Sequence, residues 1–81
     1  MKVEVLGPGC KRCEQLYENT LIATADFDPP SGIEVKKVKD IKYFSRMGVF
    51  VTPGLVIDGD VVSTAKVLSV DEIKDIIAER L

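Results

Sequence analysis

The chain's two cysteines, Cys10 and Cys13, stand three positions apart in the run Cys10-Lys11-Arg12-Cys13. Two thiols at that spacing permit a reversible disulfide, a soft-metal site or no chemistry at all. A purely structural disulfide is a poor fit. Closing so short a loop stabilises a fold by roughly 2 kcal/mol, against ~3 kcal/mol for a fifteen-residue loop, and strain subtracts from it. Inside a regular helix, Cβ atoms three apart lie about 5–6 Å from each other, whereas a disulfide wants ~3.8 Å. The pair can close only where a helix has not quite begun. Gly7-Pro8-Gly9 sets that boundary, with Cys10 near the N-cap and Cys13 in the first turn. There the helix dipole and its unpaired N–H groups favour the Cys10 thiolate, and Lys11 and Arg12 add cations beside it. A stabilised thiolate stabilises the reduced form and makes the pair more oxidising. Structural zinc needs four N or S ligands, and a chain with two thiols and no histidine cannot supply them. A two-thiolate copper(I) site remains open, because soft thiolates select that ion.

The absence of histidine also removes Ser-His-Asp and Cys-His dyads and HExxH metal sites. Eleven Lys and Arg against thirteen Asp and Glu give a net charge of −2, which argues against broad nucleic-acid binding. No apolar run approaches the ~18 residues of a membrane span. Glu4 interrupts an opening run too short for a signal peptide, so the expected setting is the cytoplasm, where structural disulfides are rare. At 81 residues, 46% of them apolar, the chain is expected to form a single domain over residues 1–81, with no bound cofactor and as a monomer.

The elements that must position the cysteines follow from periodicity. Lys2 to Leu6 reads as a β-branched strand. A helix follows from about Lys11 and stops before Asp26, with Cys13, Leu16, Tyr17, Thr20, Leu21 and Thr24 on one face. Glu14 and Glu18 point away into solvent. Asp28-Pro29-Pro30-Ser31-Gly32 is a breaker cluster, and Ile33 to Val38 is a second strand. Asp40 caps a two-turn helix, Ile41 to Met47, closed by Gly48. Leu55-Val56-Ile57 and Val61-Val62-Ser63 flank Asp58-Gly59, a strong hairpin signal. Ser69 and Glu72 form a capping box for a last helix whose apolar face is Val70, Ile73, Ile76, Ile77 and Leu81, with Arg80 complementing its C-terminal dipole. The order β-α-β-α-β-β-α predicts an α/β fold. A right-handed parallel crossover followed by an antiparallel hairpin gives a mixed four-stranded sheet with helices on both faces.

With a CxxC between first strand and first helix, and Val51-Thr52-Pro53-Gly54-Leu55-Val56-Ile57-Asp58-Gly59 ahead of an antiparallel hairpin, the chain resembles the thioredoxin superfamily in its small, glutaredoxin-sized form. The likeness covers essentially the whole sequence and is greatest to the short redox-active disulfide proteins of prokaryotes. It implies a minimal thioredoxin-like fold and a thiol–disulfide oxidoreductase. Cys10 would be the exposed nucleophile and Cys13 the buried resolving thiol. Pro53 would be cis, with the Thr52 backbone pairing with an extended substrate segment, while Lys11 and Arg12 tune the thiolate. The implied partners are disulfide-containing proteins and, as electron donor, a flavoenzyme of the thioredoxin-reductase kind.

The departures are specific. Gly9 replaces the aromatic residue that often precedes the first cysteine, and Lys11-Arg12 replaces Gly-Pro, so the resemblance does not carry over the family's potential or partner choice. The paired glycines by which glutaredoxins approach glutathione are replaced around Val67-Leu68-Ser69. Thioredoxins also place a buried acid six residues before the first cysteine. Glu4 has that spacing and could take a proton from Cys13, although a partly solvated strand residue is the favoured account. Heavy-metal-associated domains put a GMxCxxC loop in the same place. Here the Met is missing and the Thr52-Pro53 hairpin has no counterpart there, so a copper(I)-carrying chaperone ranks second. Lys36, Lys37, Lys39 and Lys42 read as a solvated strand and helix end, and Tyr17, Phe44, Met47 and Phe50 as packing.

Overall fold

The computed structural model describes residues 1–9, 11–27 and 32–80. Cys10, all of the Asp28-Pro29-Pro30-Ser31-Gly32 breaker cluster except Gly32, and Leu81 therefore lie outside the described residues. The elements run β1 (Lys2–Leu6), α1 (Lys11–Ala25), β2 (Glu34–Val38), α2 (Ile41–Met47), β3 (Gly54–Ile57), β4 (Asp60–Thr64) and α3 (Val70–Arg80). This is the expected α/β order. The sheet is mixed and four-stranded, in the order β2-β1-β3-β4, with β1 parallel to β2 and antiparallel to β3, and β3 antiparallel to β4.

Alternation along the central strands sorts the core into two layers. Val3 and Val5 of β1, with Leu55 and Ile57 of β3, face Leu16 and Ala23 of α1 and Ile73 and Ile77 of α3. Leu6 and Val56 point the other way and meet Phe44 and Val49, under α2. Helices cover both faces. Each fully buried Leu or Ile contributes about 1.5–3 kcal/mol of transfer free energy, so these layers carry most of the stabilisation.

The caps form as read. Asp40 Oδ1 accepts from the Lys42 N–H at 3.0 Å. Gly48 closes α2 at φ 78°, a left-handed conformation that glycine adopts without a Cβ penalty, and Val49 N–H reaches the Phe44 carbonyl at 2.9 Å. At α3, Ser69 N–H donates to Glu72 Oε1 while Glu72 N–H donates to Ser69 Oγ, at 3.2 and 3.1 Å. Thr20 lies in the core and donates its hydroxyl to the Leu16 carbonyl at 2.7 Å, so this buried hydroxyl is satisfied.

Three expectations need correction. The buried stripe of α1 is Cys13, Leu16, Thr20, Ala23 and Thr24, and Leu21 is 42% exposed. The strip covered by the sheet and α3 passes through Ala23 and leaves Leu21 at its edge. Glu14 is half-buried and pairs with Lys37, whose ammonium lies 5.2 Å from the Tyr17 ring centroid, so neither is a simple solvated charge. Arg80 stands in the last turn of α3 as expected, and it also closes the helix onto the hairpin by donating to Asp60 Oδ2 at 3.1 Å.

Truncating Leu55, fully buried between β1 and α3, is expected to lower unfolding free energy by about 2–5 kcal/mol. Ile22→Ala, at a 55% exposed position, should change it by less than ~0.5 kcal/mol. Urea denaturation of both variants checks the contrast.

Candidate functional site

The site is assembled where β1 and β3 end. Register pairs Leu6 with Gly54, so the residue after β1, Gly7, and the residue before β3, Pro53, come to the same end of the sheet. Cys13 lies in the first turn of α1 and is 1% exposed. It packs directly on Gly7: a Cβ built there falls 2.6 Å from Cys13 Cβ and closer still to its Sγ. Gly7 therefore acts as a steric seat for the thiol. The sequence offered a signal for this, a glycine directly after the strand that precedes the cysteine pair, but glycine composition alone reads equally as a strand breaker.

Across from this seat the Thr52–Pro53 peptide is cis, the isomer the resemblance implies. Pro53 is fully buried and Thr52 half-buried. One residue ties the two sides together. Ala65, at φ 62°, donates its N–H to the Pro53 carbonyl at 2.8 Å, and its own carbonyl accepts from the Arg12 guanidinium at 2.6 Å. Arg12 is thus a bridge from the first turn of α1 to the segment holding Pro53. Lys11 is exposed. Cys10 lies outside the described residues, and with it the distance between the two thiols.

Glu4 is not a partly solvated strand residue. It is 6% exposed, because β1 is a central strand covered on both faces, and its Oε1 accepts from the Tyr43 hydroxyl at 2.9 Å. The carboxylate lies on the α2 side of the sheet, opposite the layer into which Val3 and Val5 point. The hydrogen bond to Glu4, reinforced by burial and by the neighbouring negative charge, holds the Tyr43 hydroxyl above its usual pKa of 10.0. Tyr43 could have been suspected from sequence, since a lone acid inside an apolar strand demands a donor. Phe50 is a further correction. Read as packing, it is 82% exposed and borders an apolar groove with Pro8, Phe44 and Thr52.

A family model described as a thioredoxin domain matches residues 1–78 of this sequence. The chain belongs to the thioredoxin family. It is 37% identical over 73 residues to a thioredoxin of Methanocaldococcus jannaschii, covering 90% of this chain and 81% of that protein. It is 31% identical over 78 residues to a thioredoxin of Methanothermobacter thermautotrophicus, covering 96% and 99%. Membership of the thioredoxin family makes thiol–disulfide oxidoreduction the general class of its chemistry. No helix among the described residues is long and apolar enough to cross a membrane.

Two outcomes follow from this geometry. Gly7→Ala forces the first turn of α1 away from β1 and should lower stability by about 1–3 kcal/mol, whereas Gly32→Ala, with open space around it, should be near neutral; thermal and urea melts decide. Tyr43→Phe leaves a buried carboxylate short of a donor and should cost about 1–2 kcal/mol at neutral pH. Because the folded-state pKa is raised, the Tyr43 contribution is fully present below pH 10 and fades as pH rises through that higher value. An alkaline absorbance titration at 295 nm should show the Tyr43 step displaced upward from pH 10, and Tyr43→Phe should remove that step.

Proposed function

We propose that this thioredoxin-family chain exchanges dithiol and disulfide with protein substrates through Cys10 and Cys13. The observation that carries the reading is the family match over residues 1–78, which includes Cys10-Lys11-Arg12-Cys13 immediately before and within the first turn of α1. In the reducing direction the Cys10 thiolate attacks one sulfur of a substrate disulfide. That S–S bond breaks, the other substrate sulfur leaves as a thiolate and takes up a proton, and a mixed disulfide remains. Cys13, having lost its proton, attacks the Cys10 sulfur and displaces the second substrate thiolate. Two electrons pass to the substrate and the Cys10–Cys13 disulfide is left, to be reduced again by a flavoenzyme of the thioredoxin-reductase kind.

The geometry fits these roles on the Cys13 side. A buried thiol seated on Gly7 is shielded from solvent oxidants, as a resolving group should be. Thr52, beside Pro53 at the mouth of the site, is the segment proposed to pair with an extended substrate backbone. Lys11 and Arg12 are proposed to favour the Cys10 thiolate, Arg12 doing so from its fixed place on the Ala65 carbonyl. The proposed setting is the cytoplasm, where a dithiol can be regenerated.

Equilibration with defined dithiol buffers should give a reversible two-electron couple. A value near −270 mV would mark a reductant, and one above about −200 mV an oxidant or isomerase. Cys10→Ser should abolish disulfide reduction, while Cys13→Ser should accumulate the mixed disulfide. Full activity in Cys10→Ser, or tight stoichiometric copper(I) binding against a chelator in place of a redox couple, would overturn the reading.

A further inference from the structure

Of the eleven Lys and Arg side chains, Arg12 is held on the Ala65 carbonyl, Lys2 lies at the far end of the sheet beside Glu34 and Lys66 is exposed after β4; the other eight divide into two groups. Among the described residues, Lys36, Lys37, Lys74 and Arg80 are ion-paired, with Glu34, Glu14, Asp26 and Asp60. Lys11, Lys39, Lys42 and Arg46 are exposed and enter no ion pair with a described residue. These four gather around the site. Lys11 is in the first turn of α1, Lys39 Nζ lies 3.9 Å from where a Gly9 Cβ would be, and Lys42 and Arg46 stand one turn apart on α2. The exposed acid nearest to them in sequence, Asp40, already caps α2. By contrast, Glu34, Asp58 and Asp60 sit at the opposite end of the sheet, beside Lys2 and Ile57. Asp71 and Glu72, in the first turn of α3, also lie toward the functional end because Thr64 pairs with Gly54, but α3 and α2 cover opposite faces of the sheet. A chain of net charge −2 thus presents its basic rim along the α2 edge of the functional end.

Inside that rim is the apolar groove of about 250 Å³, lined by Pro8, Ile41, Phe44, Val49, Phe50 and Thr52. Ile41 is 68% exposed, and Val51, next to Phe50, is also exposed. Exposed large apolar side chains grouped beside a reactive motif and ringed by charge of one sign have the anatomy of a docking surface, an apolar centre with a polar rim.

We infer that this surface selects disulfide partners whose segment next to the reacting sulfur is acidic, with one or two large apolar side chains seated between Phe50 and Ile41. The site assignment rests on the thiol–disulfide reading, and the charge and apolar contacts decide which proteins reach it. Rim charges act chiefly by steering encounter and by rejecting like-charged partners, an effect that weakens as salt shortens the Debye length. A protein segment, and not a polyphosphate chain, is the occupant because the centre of the surface is apolar and needs apolar side chains to cover it.

The test separates docking from redox chemistry by using cysteine-free peptides. A fluorescein-labelled peptide with a Leu-Phe centre flanked by Glu is compared, by fluorescence anisotropy, with its counterpart flanked by Lys. The acidic peptide should bind roughly tenfold tighter at ~20 mM ionic strength, a contrast that two or three rim pairs supply, and the difference should fall below about twofold at ~0.5 M. The double variant Lys42→Glu, Arg46→Glu should reverse the preference, and Phe50→Ala should weaken both peptides about fivefold. Charge reversal at the far end, Lys2→Glu with Lys36→Glu, should leave the preference in place. Equal affinities, a preference that persists in Lys42→Glu, Arg46→Glu, or displacement of the acidic peptide by a lower concentration of an oligodeoxynucleotide would overturn the inference. Selective peptide binding in a protein that shows no redox couple would sink the oxidoreductase reading and leave the docking surface standing.

Discussion

β1 is hydrogen-bonded along both edges, to β2 and β3, and covered on both faces, by α1 and α3 on one side and α2 on the other. A strand so enclosed cannot shift register by one residue without exchanging its two faces. That slip would turn Glu4 into the α1–α3 core and the valines onto α2. The fixed register places Gly7 at the sheet's end, and Gly7 in turn leaves room for Cys13. The reactive motif owes its position to a five-residue strand several residues upstream of it.

The fold was legible because local and long-range signals agree in this sequence. Asp40, Gly48, the Ser69–Glu72 pair and Asp58-Gly59 each mark an element end by their own hydrogen-bonding chemistry, and each acts there in the structure. Cys13 and Pro53 were legible as a motif. What escaped was whatever depends on which neighbour covers a residue. Glu4 looks like a solvated alternation of an amphipathic strand, and only the arrival of α2 makes it a buried acid with Tyr43 as donor. Phe50 has the composition of a core residue, yet it follows the cap of α2 in a stretch that no element covers. Leu21 and Ala23 stand about 200° apart around α1, on opposite flanks of the Cys13, Leu16, Thr20 and Thr24 stripe, and which flank the sheet and α3 cover decided between them.

The two sides of the site are joined by unlike devices. On the cysteine side there is close packing on a glycine, which tolerates no added atom. On the proline side there is a short polar relay, from Arg12 through Ala65 to Pro53, that holds a left-handed alanine in place. Non-glycine residues in that conformation are costly by about 1–2 kcal/mol and persist where surrounding contacts over-determine them. Here the contacts are one donor and one acceptor on the same residue, and they connect the first turn of α1 to the loop after β4.

The central place of β1 also bears on how the chain reaches its fold. β1 precedes the other three strands in the sequence, yet Leu6 finds one of its two neighbours at Gly54, 48 residues further on. Its pairing with β2 closes a shorter loop through α1, so a β1–α1–β2 unit can form early with one edge of β1 and its α2-facing side still bare. Until β3 is synthesised, the middle of the finished sheet is an unprotected edge, the kind of surface that recruits strands from other molecules. Glu4 sits in that temporary edge, and its uncompensated charge makes the edge a poor template for a second chain until Tyr43 and β3 enclose it.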